Sequence, residues 1–185
     1  MALVESVVLP LGWEAVDFKL KGVDEKEYSL SDFKDKKGLL LVFTCNHCPY
    51  AQAAWPLLVG LYKKFGGEVG LVGINANDPI NYPDDSFEKM KELVKEYGVE
   101  FPYLVDESQE VARKYKAQCT PDPYLFRNEN GVFKLFYHGR INDNWQKQEK
   151  VKEKSLEEAI SKVVKGEEGP ERQMPSMGCS IKWKS

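Results

Sequence analysis

Residues 38–50 read Gly-Leu-Leu-Leu-Val-Phe-Thr-Cys-Asn-His-Cys-Pro-Tyr, and this stretch decides how the rest of the chain is interpreted. The apolar run over 39–43 is too short for a helix, and its unbroken hydrophobicity is typical of a strand buried on both faces. An apolar pattern with helical spacing follows, from Ala51 to Phe65. The sequence therefore predicts a strand that ends at two cysteines and continues directly into a helix.

Cys45 and Cys48 lie at the predicted N-terminus of that helix. Unpaired amide groups and the helix dipole favour an anion there, so a thiol ionises more easily. One helical turn brings the second sulfur within reach of the first, so a disulfide can open and close. The spacing indicates a redox site.

We expect Cys45 to be acidic, because an imidazolium at His47 would stabilise its thiolate. The alternative for His47 is a solvated position on the surface.

Composition narrows the class of protein. A chain of 185 residues with 42% hydrophobic content is long enough for one well-buried core. The net charge of −3 has both signs interspersed, which favours neither nucleic acid nor a membrane surface as partner. Residues 1–5 show neither the basic nor the apolar region of a secretory signal. Four cysteines with one close pair do not resemble a disulfide scaffold, so we expect a cytoplasmic protein whose cysteines do chemistry.

Strand and helix patterns alternate along the chain. The predicted elements are a hairpin over 18–30, strands over 69–74 and 101–105, helices over 85–97 and 107–115, a second hairpin over 124–137 and a helix over 156–165. Alternating elements followed by an antiparallel hairpin predict an α/β fold with a mixed sheet. We expect one domain over 1–166 and a tail over 167–185.

The order of these features resembles the thioredoxin-like superfamily: a strand, Cys-x-x-Cys, a helix with an internal proline, a later Thr-Pro, and a closing hairpin and helix. Residues 28–33 (Tyr-Ser-Leu-Ser-Asp-Phe) resemble the redoxin branch, the relatives of alkyl hydroperoxide reductase and thiol-specific antioxidant. Residues 45–50, 73–78 and 175–183 resemble one bacterial subgroup of it. The resemblance implies a three-layer α/β fold with a central mixed sheet flanked by helices, an N-terminal β-hairpin extension and a C-terminal tail.

The resemblance also implies roles for single residues. Cys45 matches the attacking thiol and Cys48 the resolving thiol of thioredoxin. Pro121 matches the proline whose preceding peptide bond is cis in that fold, which would expose the backbone of Thr120 to an extended substrate. One departure concerns the buried carboxylate that thioredoxins carry ahead of the cysteines. Residues 39–44 contain no acid, so the group that accepts the proton from Cys48 stays unassigned.

The implied activity is thiol–disulfide exchange without a cofactor. Its partners would be disulfide-containing proteins or small-molecule thiols and an upstream thiol reductant, with no nucleic acid and no membrane. A thiol peroxidase with an antioxidant role is the alternative, because the peroxidatic cysteine of that branch matches Cys48. The threonine expected three residues earlier is replaced by Cys45, and Thr44 lies one residue further back. Arg140 offers a charge near the site, although a surface ion pair is the interpretation we favour for a lone arginine.

The other two cysteines leave several interpretations open. Cys119 is either a small buried hydrophobe or a thiol facing the pair, since it precedes Pro121 by two residues. Cys179 lies in the tail, where large apolar residues at 177, 181 and 183 predict docking near the loop before Pro121. Docked there, Cys119 and Cys179 would be candidates for an accessory redox pair.

A zinc-holding or interaction module is a further alternative, with the four cysteines and His47 or His138 as ligands. Structural zinc sites usually combine two closely spaced ligand pairs, and this chain has one, so we expect no metal. Residues 75–78 (Asn-Ala-Asn-Asp) follow a predicted strand, where α/β sheets bind ligands. A turn closed by side-chain hydrogen bonds is the interpretation we favour for them.

Overall fold

The computed structural model describes residues 2–170 and 172–185, so Met1 and Glu171 lie outside the description. The strands are β1 (Leu3–Glu5), β2 (Leu20–Gly22), β3 (Glu27–Tyr28), β4 (Gly38–Phe43), β5 (Val69–Asn75), β6 (Tyr103–Val105), β7 (Cys119–Thr120), β8 (Asp122–Glu129), β9 (Val132–His138) and β10 (Met177–Ser180). The helices are α1 (Pro49–Phe65), α2 (Phe87–Tyr97), α3 (Glu110–Lys114) and α4 (Ser155–Lys165). Among these residues, no helix combines the length and apolarity that a bilayer span requires.

Strand β4 lies inside a seven-stranded sheet with the order β3-β2-β6-β5-β4-β8-β9. It pairs in parallel with β5 and antiparallel with β8, which confirms the predicted mixed sheet. Leu39, Leu41 and Phe43 contribute to the core on one face, and Leu40 and Val42 to the core on the other. Successive strand residues face opposite sides, so a strand covered on both faces must be apolar throughout.

Helix α1 covers one face of the sheet through Trp55 and Leu58, both fully buried. The helix continues through Pro56. The indole Nε1 of Trp55 donates to the carbonyl oxygen of Cys45 at 3.1 Å. This bond ties the helix to the loop that leaves β4 and so holds the two predicted cysteines against the helix N-terminus.

A second sheet of three antiparallel strands, in the order β1-β10-β7, lies beside the first. Its middle strand belongs to the C-terminal tail. The tail continues beyond β10 along the domain: Ile181 is buried, and Arg113 lies over the ring of Trp183 at 4.5 Å. Ile181 and the pairing of β10 with β7 thus place the tail against the loop before Pro121, whereas Met177 is exposed.

Several elements begin later than predicted, among them β6 at Tyr103 and α2 at Phe87. Helix α3 begins at Glu110 instead of 107, because Gln109 adopts a left-handed φ of 65° after a turn closed by its amide and the Asp106 carbonyl. The first hairpin pairs 20–22 with 27–28, so it begins later than expected. Phe18 is buried in the core rather than paired in the ladder. A local turn thus delays the start of α3, and tertiary packing removes Phe18 from the hairpin.

Candidate active site

Both predicted cysteines are buried where β4 gives way to α1. Cys45 follows the strand, and Cys48 is the last extended residue before the helix, which begins at Pro49. The Sγ of Cys45 lies 3.3 Å from the hydroxyl of Thr120, and the Sγ of Cys48 lies 3.6 Å from the carbonyl oxygen of Thr120. The Thr120–Pro121 bond is cis, as the resemblance predicts. The dithiol therefore faces the residue that precedes the cis proline.

The two thiols have opposite acidities. The pKa of Cys48 is lowered to about 5, chiefly because the Cys45 thiol donates to its sulfur; burial opposes this effect, and the Cys179 thiol and the amide of Ala51 reinforce it. Burial raises the pKa of Cys45 well above its ordinary value, and the neighbouring Cys48 and Asp85 raise it further. This order differs from the expectation that Cys45 is the acidic thiol. The amide of Ala51, in the first turn of α1, contributes less than the Cys45 thiol does to the lowered pKa of Cys48, the N-cap residue.

A titration of thiolate absorbance is expected to show one thiolate that forms near pH 5. A lowered pKa means that Cys48 is deprotonated above that pH and protonated below it, while the raised pKa values of Cys45, Cys119 and Cys179 keep those thiols neutral there. Replacing Cys45 with alanine removes the largest stabilising donor and should raise the midpoint. Cys119→Ser is the control, with an unchanged midpoint. A wild-type midpoint at or above about 8.5, the value of a free thiol, would contradict this assignment.

His47 forms a close pair with an acidic residue from another part of the chain. Its Nδ1 lies 2.5 Å from Oδ2 of Asp85, whose side chain is fully buried. The imidazole also stacks on Tyr82, with ring centroids 5.9 Å apart. The contacts orient the ring toward the carboxylate. The role of His47 in tuning a thiolate stays a prediction, since its closest charged partner is Asp85.

Asp85 is the functional candidate that sequence analysis missed. Its Oδ1 accepts from the amide of Asn46 at 2.7 Å, and its Oδ2 accepts from the side chain of Asn77 at 2.8 Å. Asp85 ends a short 3-10 turn, Pro83–Asp85, that lies over the start of α1. The sequence signal at 85–88 indicated only a helix cap. Asp85 thus supplies, from a loop, the buried carboxylate that β4 lacks.

Cys45, His47 and Asp85 are also the residues best placed to hold a metal ion. One ligand atom of each lies within 4.8 Å of the other two. This group differs from the four-cysteine set weighed in the sequence, because Cys119 and Cys179 are not in it. His47 and Asp85 are paired directly, so an ion would have to separate them. The same three residues are equally arranged to pass a proton from the thiol to the imidazole.

Cys119 and Cys179 are buried thiols on neighbouring strands. Cys179 lies directly opposite Thr120, and Cys119 lies opposite Ser180. Directly opposed residues share a face of a sheet and adjacent ones do not, so Cys179 points to the dithiol side and Cys119 to the other. Cys179 accordingly packs with Cys45 and Cys48, and the expected Cys119–Cys179 pair is not formed. An accessory redox role for Cys119 stays a prediction.

The backbone of Thr120 is paired within the chain. Strand β10 occupies the edge of β7 at which the resemblance places an extended substrate. This differs from the expectation that Thr120 is exposed for substrate pairing. The physical reason is Gly178, since any Cβ at that position would clash with the carbonyl oxygen of Thr120. A glycine therefore lets the tail approach the loop closely enough to pair with it.

Two other candidates lie outside the dithiol. Arg140 forms an ion pair with Glu153 at 2.7 Å, which confirms the surface-pair interpretation. In the loop after β5 the amide of Asn77 donates to the side-chain oxygen of Asn75 at 3.0 Å, which confirms the predicted turn. The side-chain oxygen of Asn77 also accepts from the amide of Lys182 at 2.9 Å, so this loop joins the site to the tail.

The fold and the dithiol define a thiol–disulfide oxidoreductase of the thioredoxin-like class. Residues 11–134 match the AhpC/TSA family, and the chain belongs to that family. The thiol-disulfide oxidoreductase ResA of Bacillus subtilis (strain 168) is 29% identical over 125 residues, which are 67% of this chain and 65% of that protein. ResA of Geobacillus kaustophilus (strain HTA426) is 30% identical over 144 residues, which are 74% of each chain.

A solved structure resembles the whole chain. The crystal structure of an uncharacterized conserved protein from Geobacillus kaustophilus is 41% identical with a TM-score of 0.93, and the match covers 100% of this chain and 97% of that one. The agreement therefore extends beyond the family region, to the N-terminal strand and the C-terminal tail.

Proposed function

We propose that this protein exchanges disulfides with proteins or small-molecule thiols through Cys45 and Cys48, with Cys48 as the attacking thiolate. The observation that carries the proposal is the pair of clustered thiols at the N-terminus of α1, which face Thr120 before the cis proline; the lowered pKa of Cys48 supports its part as the thiolate. The thiolate is the nucleophile in thiol–disulfide exchange, so the acidic member of the pair begins the reaction. The roles implied by the resemblance, attack by Cys45 and resolution by Cys48, are then reversed.

The exchange has two steps. The Cys48 thiolate attacks one sulfur of a substrate disulfide, forms a mixed disulfide and releases the other sulfur as a thiolate. Cys45 then gives up its proton and attacks the Sγ of Cys48, which forms the Cys45–Cys48 disulfide and releases the second substrate sulfur as a thiolate. Two electrons pass from the dithiol to the substrate. An upstream thiol reductant restores the dithiol.

The second step needs an acceptor for the Cys45 proton, and we assign that role to the His47–Asp85 pair. An imidazole that gains a proton becomes a cation, and the buried carboxylate 2.5 Å from its Nδ1 stabilises that charge. The proximity of a ring nitrogen to the Cys45 sulfur, within 4.8 Å, supports the assignment. This arrangement would take the place of the carboxylate that thioredoxins carry in the preceding strand.

Asp85→Asn is expected to slow the resolving step about a hundredfold at neutral pH, the usual size of a general-base contribution. The rate should recover as the pH rises, because solvent then removes the Cys45 proton, and a purely structural role would show no such recovery. Asp84→Asn is the matched control, since that neighbouring side chain is exposed. Stopped-flow release of a chromogenic thiol from a model disulfide measures the step. An unchanged rate, or a loss independent of pH, would contradict the assignment.

Turnover of insulin disulfides with dithiothreitol, measured beside consumption of hydrogen peroxide, tests the proposed function. Disulfide exchange is expected to be the faster reaction. A thiol peroxidase with an antioxidant role is the second candidate, favoured by the lowered pKa of Cys48. Weighing against it, Cys45 occupies the position three residues before Cys48 at which the peroxidase branch carries its threonine. Peroxide consumption faster than insulin reduction would favour the peroxidase.

We also propose that the protein works in the cytoplasm. What supports this is that its four cysteines are arranged as thiols rather than as structural disulfides, which suits a reducing compartment. Cell fractionation combined with alkylation of thiols before lysis tests the location and the redox state together. Recovery outside the cytoplasm in an oxidised form would overturn it.

A further inference from the structure

Strand β10 holds Cys179 in one fixed register. The strand is paired on both sides, with Leu3 and Thr120 opposite Cys179. Beyond it, the amide of Ile181 donates to the carbonyl of Gln118 at 2.9 Å, and the amide of Asp78 donates to the carbonyl of Lys182 at 2.8 Å. A strand bonded along both edges and beyond its end cannot slip without losing several hydrogen bonds. The position of Cys179 is therefore set by the fold.

That register places Cys179 against Cys48. The two residues belong to one buried cluster with Cys45 and Ala51, and Tyr50 packs against it. The nearby thiol and backbone amide of Cys179 both lower the pKa of Cys48. Cys48 thus has a thiol on either side of it, Cys45 from the end of β4 and Cys179 from the tail.

Strand β10 also lies where an extended substrate would lie in the proposed function, along the backbone of Thr120. Cys179 is consequently presented to the dithiol in the manner of a substrate cysteine. Cys45 and Cys48 are 0% and 1% exposed, so this strand and Tyr50 separate them from solvent.

We propose that Cys179 is a third redox-active thiol, which exchanges with the Cys45–Cys48 disulfide by attack on Cys48. The Cys179 sulfur forms a bond to the Sγ of Cys48, the Cys45–Cys48 bond breaks, and Cys45 leaves as a thiolate that takes up the proton lost by Cys179. No net oxidation occurs, and the disulfide moves from the active-site loop to the tail. The inference rests on the proposed function, because the disulfide that it moves is the product of that exchange.

The charges around Cys179 favour this exchange after the Cys45–Cys48 dithiol has been oxidised. Burial and then the neighbouring Cys48 raise the pKa of Cys179 to about 12, so it is a neutral donor while the dithiol is reduced. When Cys48 enters a disulfide its negative charge disappears, and the Cys179 thiol ionises more easily. Lys182 lowers the pKa of Cys179, and the negative charge of Cys48 then no longer opposes this effect. Cys179 is therefore easier to ionise in the state in which Cys48 is open to attack.

Disulfide mapping of the full-length protein tests the proposal. The protein is oxidised with glutathione disulfide, its free thiols are alkylated in acid, and it is digested with trypsin. Cys45 and Cys48 fall in one peptide (38–63), Cys119 in a second (117–127) and Cys179 in a third (173–182). Wild-type protein should yield the 38–63/173–182 cross-link beside the internal Cys45–Cys48 disulfide. The Cys45→Ser variant should yield the cross-link as its main product, because Cys179 then displaces glutathione from Cys48.

Three variants separate the proposal from its rivals. Cys119→Ser should leave the cross-link unchanged. Gly178→Val, in the Cys45→Ser background, should reduce its yield several-fold by displacing β10, whereas Met177→Ala, at an exposed neighbouring position, should not. Stable glutathionylation of Cys48 in Cys45→Ser with a free Cys179 would overturn the proposal, and so would a link from Cys179 to Cys119. Insulin reduction by the Cys179→Ser variant distinguishes failure of this inference from failure of the proposed function. If the variant reduces insulin and the wild-type protein forms no cross-link to Cys179, the proposed function stands and this inference is wrong.

Discussion

Replacing Cys48 with serine is expected to lower insulin reduction at least about a thousandfold, as loss of a covalent nucleophile does in other enzymes. A serine hydroxyl stays protonated at neutral pH and cannot replace the thiolate that the helix amide and the Cys45 thiol stabilise. The measurement is the initial rate of insulin precipitation with dithiothreitol, corrected for the reaction without protein. Cys119→Ser provides the matched control, because it is the same substitution at a buried thiol that points away from the pair.

The order of attack can be tested in the same system. With both resolving thiols removed, the Cys45→Ser, Cys179→Ser double variant should accumulate a mixed disulfide between Cys48 and the substrate. The Cys48→Ser variant should accumulate none on Cys45. Trapping on Cys45 in Cys48→Ser, together with none on Cys48 in the double variant, would return the attacking role to Cys45.

Truncation after Gly169 is expected to lower the melting temperature by about 6–12 °C. The deletion removes the middle strand of the small sheet and the buried side chains of Cys179 and Ile181. Burying one such aliphatic side chain stabilises by about 1.5–3 kcal/mol, and each lost hydrogen bond costs about 1 kcal/mol. After the ordering entropy of the tail is subtracted, we expect the free energy of unfolding to fall by about 3 kcal/mol. For a chain of this size, each kcal/mol lowers the melting temperature by about 2–4 °C.

Differential scanning calorimetry of the truncated and full-length proteins measures this shift. Removing Ser185 alone is the control, because that residue is exposed and should leave the transition within about 1 °C of wild type, as surface changes usually do. A melting temperature that stays the same after truncation at Gly169 would mean that the tail contributes nothing to the stability of the domain.

The elements around the dithiol could be predicted from local sequence because their signals are local. The five apolar residues at 39–43 must fill two cores at once, and no other arrangement buries them all. The Asn-Gly turn between β8 and β9 and the glycine that ends α4 are likewise properties of a few neighbouring residues. The cis bond before Pro121 followed from resemblance rather than from any local rule.

The parts of the site that could not be predicted depend on contacts between distant segments. Asp85 reaches His47 only because the loop after β5 folds over the start of α1. The side of the sheet on which Cys179 lies depends on the register of β10, and a shift of one residue would reverse it. The order of the two acidities depends on burial and on the contact of Cys48 with the Cys45 thiol, which the local sequence does not show.

The small sheet joins segments from opposite ends of the described chain, because β1 and β10 pair directly. Contacts between residues so far apart in sequence are among the slowest to form. In addition, β10 follows every other strand and helix in the sequence, so it leaves the ribosome after β4 and α1 have been made. A nascent chain therefore carries its two active-site thiols before it carries the strand that covers them. Until this last strand has formed, the dithiol is open to any disulfide in its surroundings, and β10 then covers it.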